Sequence, residues 1–571
     1  MSGAFGLVGK AYPAHGSGRR SASAVHVPPS FERPYEAARR DGVHANWRAV
    51  PRSADADWLE DRDEVVAKAR DIGRNEGVGA SASMRVVNSA VGFRWDFTSK
   101  PNWRALGITY EAARELGQAI DAEWEQYAYG IHFCADAERS LTFGQLLRLS
   151  AAHIFNDGEM LGLIEWAAEE LTKYKTRLRV VDPDRLSNPN GKSDTPTLRG
   201  GVEKNWNGVP VRYWIREGHP EDVGMGAGRA SMNWNSWERY STNLGRPQVL
   251  HAFDKLRAGQ TRGVTRFASV LKLFRSFSRF TEKTLEAAAL NALFLGFVKS
   301  NAGPSAMKEG FDVDEMAGFA AEREDFYNEH PVVVDGVQFP VLGPDDDITM
   351  QTTARDTSGF DGFTRSILRL IAAALGVTYE ELSMDFSTTN YSSARAALMI
   401  AWKETLALRG LMEQQIAWPF FAAWLEEAID IGSIVLPAGA PDFYDAIDAY
   451  AEGRWRGPGR GHIDPTKEIT AAAARIEAGV STLEDECAEY DGSDWVEKLE
   501  QQAREQAKRI DLGLDSADVG PGQEDPEADR QRDARPGATR RPSRRSALSR
   551  AAATADSPEH AAFLDARPIA A

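Results

Sequence analysis

The stretch Asn190-Gly191-Lys192-Ser193 ends like a phosphate-binding loop, in which glycine-rich backbone cradles phosphates and a lysine reaches the outer ones. That motif needs a glycine where the chain has Leu186, and no strand leads directly into a helix here, so a polar turn is expected. Asp345-Asp346-Asp347 gathers the hard oxygen ligands a divalent cation wants. It lies in a Gly-Pro turn without the spacing of a calcium loop, which reads as solvated acids. The ten histidines show no metal-ligand spacing. His462 and Asp464, two residues apart in a glycine-rich loop, read as turn and cap groups. There is no GxSxG elbow, and Cys134 and Cys487 stand far apart with no CxxC spacing. No catalytic residue, metal site or cofactor site is expected.

One constellation remains. Lys272, Arg275, Arg279 and Lys283 recur at helical spacing on one face, while Phe267, Val270, Leu271, Phe274 and Phe277 share the opposite face. The basic row is either neutralised by acidic neighbours or presented to an anion. With no base-stacking aromatics among its members, contact with a nucleic acid would run to phosphates and ignore base sequence.

The elements that must position this row follow from periodicity. Val264 to Lys299 runs thirty-six residues without a proline and reads as one long helix, apolar nearly all round after Ala287 and therefore packed within the chain or between chains. Upstream, Trp58 to Arg74, Tyr110 to Tyr129 and Phe143 to Ala152 read as amphipathic helices, the last capped by Thr142. Leu161 to Trp166, Leu178 to Val181 and Val209 to Ile215 read as strands, with Asn207-Gly208 a hairpin turn and 218–247 an irregular excursion. Downstream, Val332 to Val334 and Val337 to Val341 flank an Asp335-Gly336 turn. Helices are expected at Asp361 to Leu375, Ser392 to Leu411, Gln414 to Ile431, Asp464 to Ala478 and Thr482 to Leu512.

Composition bounds the rest. The chain has 571 residues, 42% hydrophobic and 26% charged, ordinary for a globular protein and enough for several lobes. Its net charge of −17 discourages broad attachment to DNA or an anionic membrane. Two cysteines fit a reducing compartment. Met1 to Arg20 lacks a signal-like apolar core, and no segment reaches the ~20 apolar residues of a membrane span. Residues 1–55 read as an arm and 513–571 as a tail whose charge reverses, from acidic at 515–529 to arginine-rich at 530–550. The expected fold class is α+β, predominantly α.

Several collinear segments carry a resemblance. Val249-Leu250-His251-Ala252-Phe253, followed by Arg257-Ala258-Gly259-Gln260-Thr261-Arg262-Gly263-Val264, resembles the segment that introduces the long helix in the lambda-type family of tailed-bacteriophage portal proteins. Ile371 to Ser383, then Asp385 to Arg395, is similar to that family's most characteristic stretch. Asp182-Pro183-Asp184-Arg185-Leu186 and Ile463 to Glu468 match in order at the flanks, so that the similarity spans roughly 55 to 512.

The resemblance implies a subunit of a ring, typically of twelve copies, at one capsid vertex of the virion. It implies assembly in the host cytoplasm and partners in the terminase large subunit, head-completion or adaptor and tail proteins, a major capsid or scaffold protein, and double-stranded DNA. It implies a mixed α/β wing at 56–262, stem and clip at 263–350, a wing or channel return at 351–390 and a helical crown at 391–512. The row Lys272, Arg275, Arg279 and Lys283 would then face the DNA channel or a neighbouring subunit. Two rival readings are a DNA-packaging enzyme, motor or nuclease, and a capsid scaffold without a channel.

Overall fold

The computed structural model describes residues 46–514, apart from 48, 169–171, 223–231, 243–244, 294–296, most of 301–330, 335–336, 341–345, 350–357, 388 and 462–463. For 290–300, 331–340, 346–349, 358–359 and 391 it describes the backbone alone. The expected arm up to residue 45, the Asp335-Gly336 turn, Asp345, His462 and the tail from 515 lie outside the described residues. The chain divides into two units, one ending at Asp464 and one beginning at Pro465.

The first unit is organised by local signals that agree with its packing. Thr142 and Gln145 form a reciprocal capping box that starts the helix Phe143–Asn156, and the Thr109 side chain caps Tyr110–Tyr129. Both helices bury an apolar stripe, including Leu116, Ile120 and Trp124 on one and Leu146, Leu147 and Ile154 on the other. Their stripes meet a third element, Trp418–Asp430, in a core rich in aromatic rings. There Trp124 lies 5.0 Å from Trp424 and 5.1 Å from both Phe143 and Phe421, in edge-on geometries favoured by ring quadrupoles.

One antiparallel sheet packs on this core and meets a second antiparallel sheet through a separate cluster that includes Leu161, Leu163, Val202, Tyr213 and Ile215. Glu159–Trp166 is the centre of a three-stranded sheet between Thr176–Val181 and Val249–Phe253. The second sheet orders Leu198–Arg199, Val202–Lys204, Pro210–Arg216 and Trp234–Glu238 side by side. The Asn207-Gly208 hairpin forms as expected: Gly208 has φ +80°, and the Asn205 side chain accepts from the amides of Asn207 and Val209.

Several expectations are corrected. The excursion at 218–247 contains the strand Trp234–Glu238, which is held by its ladder to Pro210–Arg216, a partner about twenty residues away that local patterning does not reveal. The thirty-six-residue helix is shorter, Leu271–Leu293. Before it the chain stays in turns that bury Phe267 and Val270. After it Phe297–Ser300 leaves the helix to pair antiparallel with Asp346–Thr349. Asp346 and Asp347, expected in an acidic turn, therefore belong to a strand.

Trp58 to Arg74 divides into Ala54–Trp58 and Arg62–Asn75. Tyr391–Met412 continues through a single π turn, Glu413–Ala417, into Trp418–Asp430 rather than breaking between two helices. Met412, Phe420, Trp424, Tyr450 and Trp455 belong to the same core as Trp95, Trp124 and Leu178.

The second unit holds Pro465–Glu477, Leu483–Tyr490 and Trp495–Asp511. The helix expected at 482–512 breaks at Gly492, φ +82°, after which the Asp494 carboxylate caps a fresh helix by accepting from the amides of Val496 and Glu497.

Candidate functional site

The helix Leu271–Leu293 carries the expected basic row and is gripped on its other face. Phe267, Val270 and Phe274 sit in a second core with Phe155, Ile72 and Ala82, and with Ile367, Ile371 and Leu375 from the helix Ser358–Leu375. Farther along, Phe280 stacks on Phe360 and meets Phe363 at 4.5 Å between ring centroids. The start of the first helix thus shares a core with the end of the second, and Phe280 meets the second near its start, the order of an antiparallel pair. Between the two helices lie Phe297–Ser300 with Asp346–Thr349, and the hairpin Pro331–Val334 with Val337–Pro340.

Lys272, Arg275, Arg279 and Lys283 are all exposed, away from this core. Lys283 Nζ pairs with Glu286 at 2.6 Å. No ion pair to Lys272, Arg275 or Arg279 exists among the described residues, so the first three positions of the row present positive charge that no described acid pairs. At about 100° per residue Glu282 and Glu286 fall on the same stripe, so that the row turns mixed toward its C-terminal end. That change was readable in the sequence, since both acids follow the row at helical spacing. Near its end Leu285, Ala288 and Ala289 are exposed, so the described residues do not cover the helix at these positions.

Sequence reasoning missed the joint from which this helix springs. Glu159, fully buried at the start of the central strand, accepts from Arg262 Nε at 2.8 Å, from Arg62 Nε at 3.2 Å and from the Gly263 amide at 2.8 Å, and pairs with His251 Nε2 at 2.9 Å. Arg262 also donates to the carbonyls of Leu186, Gly200 and Pro183 at 2.7, 2.9 and 2.8 Å. Asp55 accepts from both the amide and the hydroxyl of Thr261, and Gln260 Nε2 donates to the Arg262 carbonyl. Gly263 admits no side chain, because a Cβ would lie 2.0 Å from the Gly158 carbonyl oxygen. The run from Gln260 to Gly263 is thereby fixed residue by residue just before the chain turns into the helix.

The charges at the joint follow from its burial. Desolvation alone would raise the Glu159 carboxyl, but Arg262, Arg62 and the His251 hydrogen bond hold it well below the usual carboxylate range. Burial pushes the His251 imidazole down, and the two guanidiniums oppose its protonation against the pull of Glu159. Arg262, with one carboxylate shared with Arg62, is lowered by burial, whereas Arg62, also beside Asp184 and Asp63, is raised despite burial.

A neighbouring cluster ties the helix Arg62–Asn75 to the same region. Arg70 donates to Asp157 at 2.8 and 3.0 Å, to Asp182 at 2.9 Å and to Asp184 at 2.7 Å. Asp182, Asp184 and His219 bring three ligand-type atoms within 4.8 Å of one another, but the Arg70 guanidinium already bridges the two carboxylates. The Asn190-Gly191-Lys192-Ser193 stretch forms a short polar turn, with Asn190 at φ 55° and the Asn188 side-chain Nδ2 donating to the Lys192 carbonyl and Asp194. No helix follows it.

Within the joint and its neighbouring cluster, Asp182, Asp184, Leu186, His251, Arg262 and Gly263 come from two of the segments that carry the resemblance, and Ile371, Leu375 and Leu382 in the second core come from a third. A model of the lambda-family phage portal protein matches residues 40–409. The portal protein of Escherichia phage N15 is 34% identical over 484 residues, covering 83% of this chain and 89% of that protein. Portal protein B of Escherichia phage lambda is 33% identical over 483 residues, with the same coverage. The chain belongs to the lambda family of phage portal proteins.

As a portal protein it is a component of the virion, and its predominantly helical α+β fold is that expected from the sequence. Among solved structures, a chain from the virion of a native gene transfer agent particle matches with a TM-score of 0.42 at 13% identity, covering 73% of this chain and 89% of that one. A chain from the neck of the same kind of particle, computed with C12 symmetry, matches with a TM-score of 0.39 at 13% identity, covering 75% and 98%. No described helix of this portal protein is long and apolar enough to cross a membrane.

Proposed function

We propose that copies of this chain close into a ring, twelve in number, at one capsid vertex, and that double-stranded DNA enters and leaves through its hole past the exposed row Lys272, Arg275 and Arg279. The observation that carries this reading is the two-sided helix Leu271–Leu293: one face is anchored in a core beside a rigid ionic joint, and the other holds three cations without acidic partners among the described residues. A polyanion satisfies such a face. Contacts to phosphate alone carry no base information, so the duplex meets no sequence-dependent barrier to sliding. The strongly acidic remainder of the chain limits adhesion elsewhere.

On this reading the wing comprises 56–262 together with the returning residues from 412 to 464 that share its core. The stem is the pair Leu271–Leu293 and Ser358–Leu375. The clip is the β-segment between them, which docks the terminase and later the adaptor and tail proteins. The crown is the unit from Pro465. The chain contributes no catalysis; the terminase supplies the work of packaging, and assembly takes place in the host cytoplasm with capsid or scaffold protein.

The test is a chain carrying K272E, R275E and R279E, compared with wild type for ring assembly by negative-stain imaging and for DNA content of heads. Intact rings with empty heads are expected. Failure of the rings to form would reassign the row to a contact between subunits. Nucleotide hydrolysis or DNA cleavage by the purified protein, abolished by one substitution, would favour the packaging enzyme, and assemblies without a hole the scaffold.

A further inference from the structure

The unit beginning at Pro465 has helices but almost no core of its own. Cys487 is the one buried hydrophobic residue among its described positions, while Ile469, Ile476, Val480, Leu499, Ile510 and Leu514 stand exposed. Of these exposed residues, all but Leu514 fall on two stripes. On Pro465–Glu477 and the turn after it, Ile469, Ala473, Ile476 and Val480 recur at helical spacing. On Trp495–Asp511, Val496, Leu499, Ala503, Gln506 and Ile510 alternate steps of three and four, the seam of a helix that packs along another helix.

Short helices with so little burial are marginal in water, so both stripes need covering. The 57 residues after Leu514 hold only five large apolar residues, Val519, Leu548, Phe563, Leu564 and Ile569, with no helical repeat among them. They are too few to cover two stripes. A rotationally symmetric ring, by contrast, needs two different surfaces on each copy, one offered to each neighbour.

We propose that the Val496–Ile510 seam of one copy packs on the Ile469–Val480 stripe of the next, so that the C-terminal units form a continuous heterologous interface around the ring. This rests on the ring reading above. The order of the helices suits the role: each is fixed at its start by a side-chain cap or a proline, and the exposed ion pairs Lys498–Asp491 and Lys508–Asp511 lie off the seam, where solvent makes them inexpensive to rearrange.

The experiment uses the full chain with Cys134→Ser and Cys487→Ala, carrying Ala473→Cys and Ala503→Cys singly or together, treated with a short bis-maleimide. Neighbours held in contact have millimolar effective concentration, so linking should run about a thousandfold faster than between micromolar free copies. The double variant is expected to give a ladder of covalent multimers on a denaturing gel and each single variant to stay monomeric. Rings seen by electron microscopy without a ladder would overturn the interface while leaving the ring intact. A double variant that links only within one copy would assign the stripes to each other and also overturn it. A ladder from open filaments would uphold the interface and count against ring closure.

Discussion

Replacing Glu159 with glutamine tests the joint at the root of the stem helix most severely. The carboxylate is fully buried and, among the described residues, is the only acid hydrogen-bonded to Arg262, whose other partners there are three backbone carbonyls. Arg62, in contrast, keeps Asp63 at 2.7 Å and Asp184 at 3.3 Å. Glutamine is nearly isosteric, so packing changes little, but it strands the Arg262 charge in the interior. Removing one partner of a buried pair costs about 3–5 kcal/mol, a large part of the ~5–15 kcal/mol that holds a folded domain together. Chemical unfolding followed by tryptophan fluorescence reads this directly, since Trp95, Trp124 and Trp424 are buried in the main core. With a urea dependence of ~2–3 kcal/mol per molar, the midpoint should fall by about 1–2 M. The double variant E159Q/R262Q should be less destabilised than the sum of the two singles by at least about 1 kcal/mol. A single variant within ~1 kcal/mol of wild type, or strict additivity in the cycle, would refute the assignment of this joint as the ionic anchor of the stem.

Other consequences follow from the same contacts. His251 has a depressed pKa in the folded chain, so below about pH 6.5 the unfolded state takes up a proton that the folded state refuses, and stability rises with pH across that window with a slope of up to ~1.4 kcal/mol per unit. His251→Gln should flatten this slope in urea titrations at pH 5 to 7, and an unchanged slope would exclude His251 as its source. Glu159, with a depressed carboxyl, adds a contribution present above its unfolded pKa of about 4.5 and lost as pH falls through the folded value, so the E159Q variant should lose the steepest part of its acid transition. Gly263→Ala must displace the Gly158 carbonyl and should lower stability by more than the ~1 kcal/mol of an ordinary substitution; thermal unfolding checks it. Trp424→Ala should cost about 3–5 kcal/mol through the cavity it leaves among Trp124, Tyr127 and Phe421, with a loss below ~1 kcal/mol contradicting that packing.

Much of the fold was legible because local and tertiary preferences coincide. Tyr110–Tyr129 and the capping box at Thr142 announce themselves in spacing and cap chemistry, and the Asn207-Gly208 hairpin in its turn residues. Where they diverge, the reading failed for a physical reason. Phe297–Ser300 has helix-compatible neighbours, but its backbone hydrogen bonds go to Asp346–Thr349, a pairing set by a partner nearly fifty residues away. Trp234–Glu238 is an edge strand whose polar positions hide the two-residue period. The basic row was visible as a helical pattern. The ionic joint was not, since Asp55, Arg62, Glu159, His251 and Arg262 lie far apart in sequence and only the fold makes their charges neighbours.

The most direct test of the central claim is a cryo-EM reconstruction of the purified oligomer with and without a short DNA duplex. A closed ring is predicted, with Lys272, Arg275 and Arg279 from every copy lining its hole and density for the duplex passing within reach of them. A chain that remains monomeric at high concentration, or a ring whose hole is lined by other residues while this row is sealed between subunits, would contradict it.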